Sequence, residues 1–168
     1  MTDTTPSPTA PFVGGPLAAL AGTWVGSGEG TYPTIANFSY NERVTFTWSP
    51  KGFFAYQQAT SNPVSGLPMH AESGYLRVNE HSPSVELVVA QPSGIVEVHA
   101  GSVVLADDGS VSLNLTLVSI AATPTAKSVT EVSRTITVAD NTLRYSISMA
   151  AVGLPLQHHL QATLTHEH

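Results

Sequence analysis

A chain of 168 residues, 42% hydrophobic and only 11% charged, is long enough to bury one core and forms a single domain. Six basic residues against 12 acidic ones leave a formal charge of −6. The basic ones (Arg43, Lys51, Arg77, Lys127, Arg134, Arg144) are scattered, so nucleic acid is excluded as a partner. The absence of cysteine excludes a disulfide scaffold, a thiolate-bound metal and a thiol-anchored cofactor. Residues 1–14 are rich in Ser, Thr and Pro and lack the basic and apolar regions of an export signal. They are expected to form a disordered tail, with residues 15–168 as the domain. With no run approaching ~18 apolar residues, no membrane span is expected and the location is expected to be cytoplasmic. Asn37-Phe-Ser39 and Asn114-Leu-Thr116 match glycosylation acceptors by coincidence in a chain without such a signal.

Pro16 stands at a first helical position, and residues 17–20 make one or two helical turns ending before Gly22, suited to plugging the end of a barrel. Everything beyond reads as strand and turn. Strands are predicted at 23–31, 37–48, 52–60, 69–79, 84–90, 94–105, 111–119, 127–138, 142–150 and 157–165. Pro50, Gly52, Pro63, Pro83, Gly109 and the Asp140–Asn141 pair supply the turns. Alternation is clearest late in the chain. There Leu143, Tyr145, Ile147 and Met149 share one face, and Val111, Leu113, Leu115 and Leu117 share another. About ten antiparallel strands on short connections predict an all-β fold, a single up-and-down barrel that closes its own edges. A two-sheet sandwich is the alternative.

In the first strand Gly22, Gly26, Gly28 and Gly30 fall on one face. Such a bare face suits a bend where the sheet closes. It also suits close approach of a bulky flat ligand, with Tyr32-Pro33-Thr34-Ile35 lining the mouth.

No nucleophile elbow, phosphate loop or dinucleotide fingerprint is present, and paired carboxylates are not conspicuous. Histidine is the informative residue type. His81 falls in a turn and His166 and His168 near the C-terminus, so all three are expected to face solvent. His99 can face either way. His70 and the pair His158 and His159 remain. Neighbouring strand residues point to opposite faces, so only one of the pair enters the interior. Alternation with Leu156, Leu160, Ala162 and Leu164 puts His158 there. Zinc is a poor use of these residues, since adjacent histidines diverge and no further ligands complete a tetrahedron.

Gly22-x-Trp24-x-Gly26-x-Gly28 followed by Tyr32-Pro33-Thr34-Ile35 resembles the signature of the nitrobindins, small all-β haem proteins. The resemblance continues through residues 68–75, 90–94, 141–149 and 155–160, in the family's order. It implies a non-covalent b-type haem, one per chain. It also implies binding of nitric oxide and isomerisation of peroxynitrite to nitrate. It assigns the iron to His159, as metal ligand and catalytic residue, against the alternation, with a bulge resetting the register. It further implies that Thr34, Ile35, Met69, His70, Lys127, Met149 and the Gly22, Trp24, Gly26 and Gly28 stretch contact the cofactor. Lys127 would pair with a propionate. The competing uses of the same barrel are a lipocalin-like carrier of an apolar molecule, with Arg134 or Arg144 as clamp, and a haem-based nitric oxide sensor. A homodimer is compatible with the sequence, which carries no mark of oligomeric state.

Overall fold

The structure is a computed structural model that describes residues 15–79 and 81–168; the predicted tail lies outside them. Ten antiparallel strands follow the chain round a closed barrel, β1 pairing with β10, which removes the sandwich alternative. They are β1 (Gly22–Tyr32), β2 (Ile35–Ser49), β3 (Phe53–Ser61), β4 (Pro68–Val78) and β5 (Ser84–Gln91). The return half comprises β6 (Ile95–Leu105), β7 (Val111–Ala122), β8 (Val129–Ala139), β9 (Thr142–Ala151) and β10 (Gln157–Glu167). Closure satisfies both edges of every strand, and the period-two pattern decides what goes inside. Phe54, Tyr56, Gln58 and Thr60 of β3 are buried in alternation, as are Val111, Leu113 and Leu115 of β7. The Asp140–Asn141 turn has both residues at positive φ (47° and 61°), which suits the twist of a tight hairpin.

Before β1, Gly15–Leu20 forms a 3-10 turn; six residues are too few to hold an α-helix by their own hydrogen bonds. It is anchored by burial. Leu17 and Leu20 are fully buried, and Trp24 Nε1 donates to Leu20 O at 2.9 Å. Around this plug lie Val44, Phe46, Phe54, Leu76, Leu113, Leu143 and Leu164, the apolar half of the interior. Each such side chain contributes about 1.5–3 kcal/mol by burial.

The C-terminus departs from the expectation of a frayed end. The β1–β10 ladder runs to Thr23↔Glu167, and His166 is half-buried instead of solvent-facing. Its ring packs edge-on against Trp24 at 4.9 Å, with Nε2 3.1 Å from Ala21 O. His81 and His168 are exposed as expected, and His99 is completely buried.

Candidate functional site

The end of the barrel opposite the plug encloses a cavity of about 690 Å³, within the roughly 300–1,000 Å³ typical of cofactor-sized sites. Its walls include Phe38, Val129, Val132, Ile147 and Leu160. Of the residues singled out in the sequence, Thr34, Ile35, Met69, His70, Lys127, Met149 and His159 all line it. Thr34, Ile35, Met69 and Lys127 are exposed, whereas His70, Met149 and His159 are partly buried. Lys127 falls just before β8, which begins at Val129.

Gly22, Trp24, Gly26 and Gly28 are not among the lining residues. Trp24 belongs to the plug, and the room left by the glycines is filled by protein. A Cβ on Gly28 would run into the ring of Tyr40, and one on Gly30 into Phe38. The bare face of β1 therefore seats the aromatic side chains of β2, and Tyr40 and Phe38 in turn face the cavity.

His159 owes its position to a local break in pairing. Along β9 and β10, His158 pairs with Ser148 and Leu160 with Ile147, so His159 is the extra residue of a bulge. Past the bulge, Leu160, Ala162 and Leu164 keep the inward face that alternation predicts. At the bulge His159 also turns inward. His158 is exposed, with Nδ1 3.4 Å from Ser146 Oγ. On the other side, the β1–β10 ladder ends at Gly30↔Leu160, and β1 has its own irregularity between Gly30 and Tyr32. Where the next ladder rung would be, Thr31 O accepts a hydrogen bond from His159 Nδ1 at 3.0 Å instead. That bond fixes the tautomer, so Nε2 carries the lone pair. Among the described residues Nε2 has no hydrogen-bond partner. Burial lowers the pKa of His159, partly offset by the Thr31 carbonyl, which keeps the ring neutral. Tyr32 packs edge-on against it at 5.3 Å and is itself pinned by Ala151 N donating to Tyr32 Oη at 2.8 Å.

Between cavity and plug lies a polar layer that was not visible as carboxylate pairing in the sequence. Arg134 donates to both oxygens of Glu72 (2.8 Å each) and to Glu97 (2.7 Å). Tyr56 Oη donates to Glu72 at 2.9 Å, and His99 Nε2 lies 2.8 Å from Glu97. His70 Nε2, closer to the mouth, is 3.6 Å from Glu72. Burial alone would raise the Glu72 and Glu97 pKa values. The Arg134 charge and hydrogen bonds, with His70 near Glu72 and His99 bonded to Glu97, outweigh it and hold both carboxyls low. Glu42 differs: its partners, Gln58 Nε2 and Tyr145 Oη at 2.8 Å each, are neutral. Burial pushes its pKa up to about 7.

A closed barrel whose inner chamber presents the imidazoles of His70 and His159 beside apolar walls defines the class of ligand-enclosing barrels. The chain belongs to the THAP4-like, heme-binding beta-barrel domain family, whose model matches residues 14–166. It is 48% identical over 148 residues to peroxynitrite isomerase 2 of Mycobacterium marinum, covering 88% of this chain and 91% of that one. Against the peroxynitrite isomerase of Nocardia farcinica identity is 46%, covering 88% and 87%. The crystal structure of Rv2717c from M. tuberculosis superimposes with a TM-score of 0.86 at 43% identity, covering 90% of this chain and 95% of that one. The residues present fit a haem. They supply a neutral nitrogen with its other ring nitrogen tied to a carbonyl, apolar walls for the porphyrin, and Lys127 at the rim for a carboxylate. No cluster of three or more metal-ligating side chains occurs among the described residues.

Proposed function

We propose that this protein is a haem-dependent peroxynitrite isomerase that also binds nitric oxide, and that His159 would hold the iron of one non-covalent b-type haem per chain. The observation that carries the reading is the His159 ring, tied through Nδ1 to Thr31 O, with Nε2 free beside a cavity of about 690 Å³. Ferric haem would supply the site at which peroxynitrite rearranges to nitrate. The chain does the rest. Burial keeps His159 a neutral imidazole, and its bond to the Thr31 carbonyl would leave it less electron-rich than one facing a carboxylate. Phe38, Ile147, Met149 and Leu160 would supply apolar walls that exclude water from the bound haem, and Lys127 at the mouth would pair with one of its carboxylates. The exposure of Thr34, Ile35 and Met69 leaves a short path for a small anion to enter and leave. A lipid carrier is disfavoured because Arg134, the interior cation, is already committed to Glu72 and Glu97.

Titrating the purified protein with hemin should give a Soret band that saturates at one haem per chain, and the loaded protein should accelerate peroxynitrite decay to nitrate. His159→Ala should shift the Soret and charge-transfer bands, weaken retention by at least tenfold, and suppress catalysed decay; this figure is on the order of the loss for a disturbed metal shell. His158→Ala should leave all three unchanged. A colourless protein that refuses hemin, or loss of haem in the His158 variant with retention in the His159 variant, would sink the assignment.

A further inference from the structure

Three buried carboxyls stand at the base of the cavity with a single guanidinium among them, Glu72 and Glu97 on its lining and Glu42 behind it. Arg134 is shared by Glu72 and Glu97, and Glu42 has no cation in bonding distance, though it is only 5% exposed. Its surroundings come from every neighbouring strand. Tyr40 flanks it on β2, and Gln58 and Tyr56 lie on β3. His70 and Glu72 come from β4, Glu97 and His99 from β6, Arg134 from β8 and Tyr145 from β9; Glu29 of β1 is outside, exposed. A carboxylate in such a place needs either a counter-charge or a proton.

The geometry provides for the proton. Tyr145 Oη is 2.8 Å from Glu42 Oε2 and 2.7 Å from Tyr40 Oη, which is 3.2 Å from Gln161 O. This hydroxyl chain can point either way. With Glu42 ionised, Tyr40 donates to Tyr145 and Tyr145 to Glu42. With Glu42 protonated, Glu42 donates to Tyr145, Tyr145 to Tyr40, and Tyr40 to the Gln161 carbonyl. No heavy atom moves, and Gln58 Nε2 donates to Oε1 in both states. Tyr40 and Tyr145 line the main cavity, whereas Glu42 lies one layer deeper, on a side chamber of about 40 Å³ that Gln58, Arg134 and Tyr145 also line. Gln58 Oε1 and Arg134 Nε are buried without a partner, so the layer has unmet polar capacity, and a chamber of this size admits water.

We propose that Glu42 is a proton-accepting site beneath the cavity, so that the cavity takes up an anionic molecule together with a proton. The proton comes from bulk water. It binds Tyr40 Oη from the cavity side, Tyr40 passes its own proton to Tyr145, and Tyr145 passes its own to Glu42 Oε2. One O–H bond forms at Glu42 for each proton taken from solvent, and no other charge changes. An anion above an ionised Glu42 faces like charge; above a protonated one it does not. The inference rests on the haem reading only for the identity of the natural occupant, an anionic tetrapyrrole with an anionic substrate.

The test uses two occupants, the anionic probe anilinonaphthalene sulfonate added to haem-free protein and ferric haem itself, each in weak buffer at pH 7 with an indicator dye. Binding of either should take up as much as about half a proton per chain, since a group titrating near pH 7 is about half ionised there. Infrared spectra should show a protonated carboxyl band that vanishes in Glu42→Gln, and this variant should bind the probe without proton uptake. Tyr145→Phe removes a donor to the carboxylate, so the pH of half-maximal uptake should rise. Uptake unchanged in Glu42→Gln, a wild type that binds the probe with no uptake, or an unmoved midpoint in Tyr145→Phe overturns the proposal. Should Glu42→Gln not fold, the Tyr145→Phe midpoint decides alone. Probe-linked uptake in a protein that refuses haem supports Glu42 and removes the haem reading; a normal Soret band without uptake does the reverse.

Discussion

Val152 has φ of 49°, a conformation that a β-branched side chain adopts only under constraint. The constraint is visible: its N donates to Ser128 O at 2.9 Å, and Gly153 follows at φ 81° to complete the turn into β10. Val152 also lines the mouth of the cavity. Replacing it with Asn, which tolerates this region, should raise stability by roughly 1 kcal/mol, read as a higher urea midpoint with unchanged slope. A fall would mean that the exposed Val152 side chain contributes more packing than its backbone costs. The same stretch of chain shows what single residues could and could not reveal. Alternation placed Leu160, Ala162 and Leu164 correctly but carried its rule one residue too far, to His158. The bulge at His159 has no glycine or proline to announce it; there Thr31, remote in sequence on the neighbouring strand β1, offers a carbonyl outside the ladder. His166 was misjudged for a related reason, since its partner Trp24 is remote in sequence. Glu42 was legible in principle, standing at an inward parity between buried Tyr40 and Val44, whereas Glu72 falls between His70 and Gly74 and carries no such signal.

At the level of elements, β1 and β2 work as a pair. Gly28 sits opposite Tyr40 in register, and the ring lies across the space a side chain would need. Gly28→Val should therefore displace Tyr40, break its 2.7 Å contact with Tyr145, and cost about 1–3 kcal/mol or more by overpacking. Hemin affinity should fall along with the urea midpoint. Normal stability and normal affinity would show that Tyr40 has another place to go. Strand order and turns were readable because Asp140-Asn141, Asp108-Gly109 and Pro50-x-Gly52 turn chemistry punctuates a period-two pattern. The role of the glycine face was half readable: the bare surface was evident, but neighbouring aromatic side chains, and no ligand, occupy it.

For the whole molecule, the polar layer sets the dependence of stability on pH. Glu42 titrates near 7 in the folded protein against an ordinary 4.5, so the folded state holds the extra proton between those values. Stability on its account is full below about pH 4.5 and is lost as pH rises through 7, by roughly 3 kcal/mol. Glu72 and Glu97 act in the opposite sense: their contribution is present above about 4.5 and disappears as acid protonates them. Urea midpoints should accordingly peak on the mildly acid side, and Glu42→Gln should flatten the decline above the peak while leaving the acid limb in place. A wild-type midpoint constant from pH 5 to 8 would contradict the assignment. The seam between β1 and β10 has a further bearing, on the order in which the protein is made. Thr31 and His159 stand 128 residues apart, and their hydrogen bond joins the first strand to the last. A nascent chain emerging from the ribosome has nine strands before it has β10, the strand of the proposed iron ligand, and its barrel stays an open sheet until that strand arrives. Loading of the cofactor is thus deferred until synthesis is nearly finished, and any product truncated before β10 would be left without both the imidazole and the closure that shelters it.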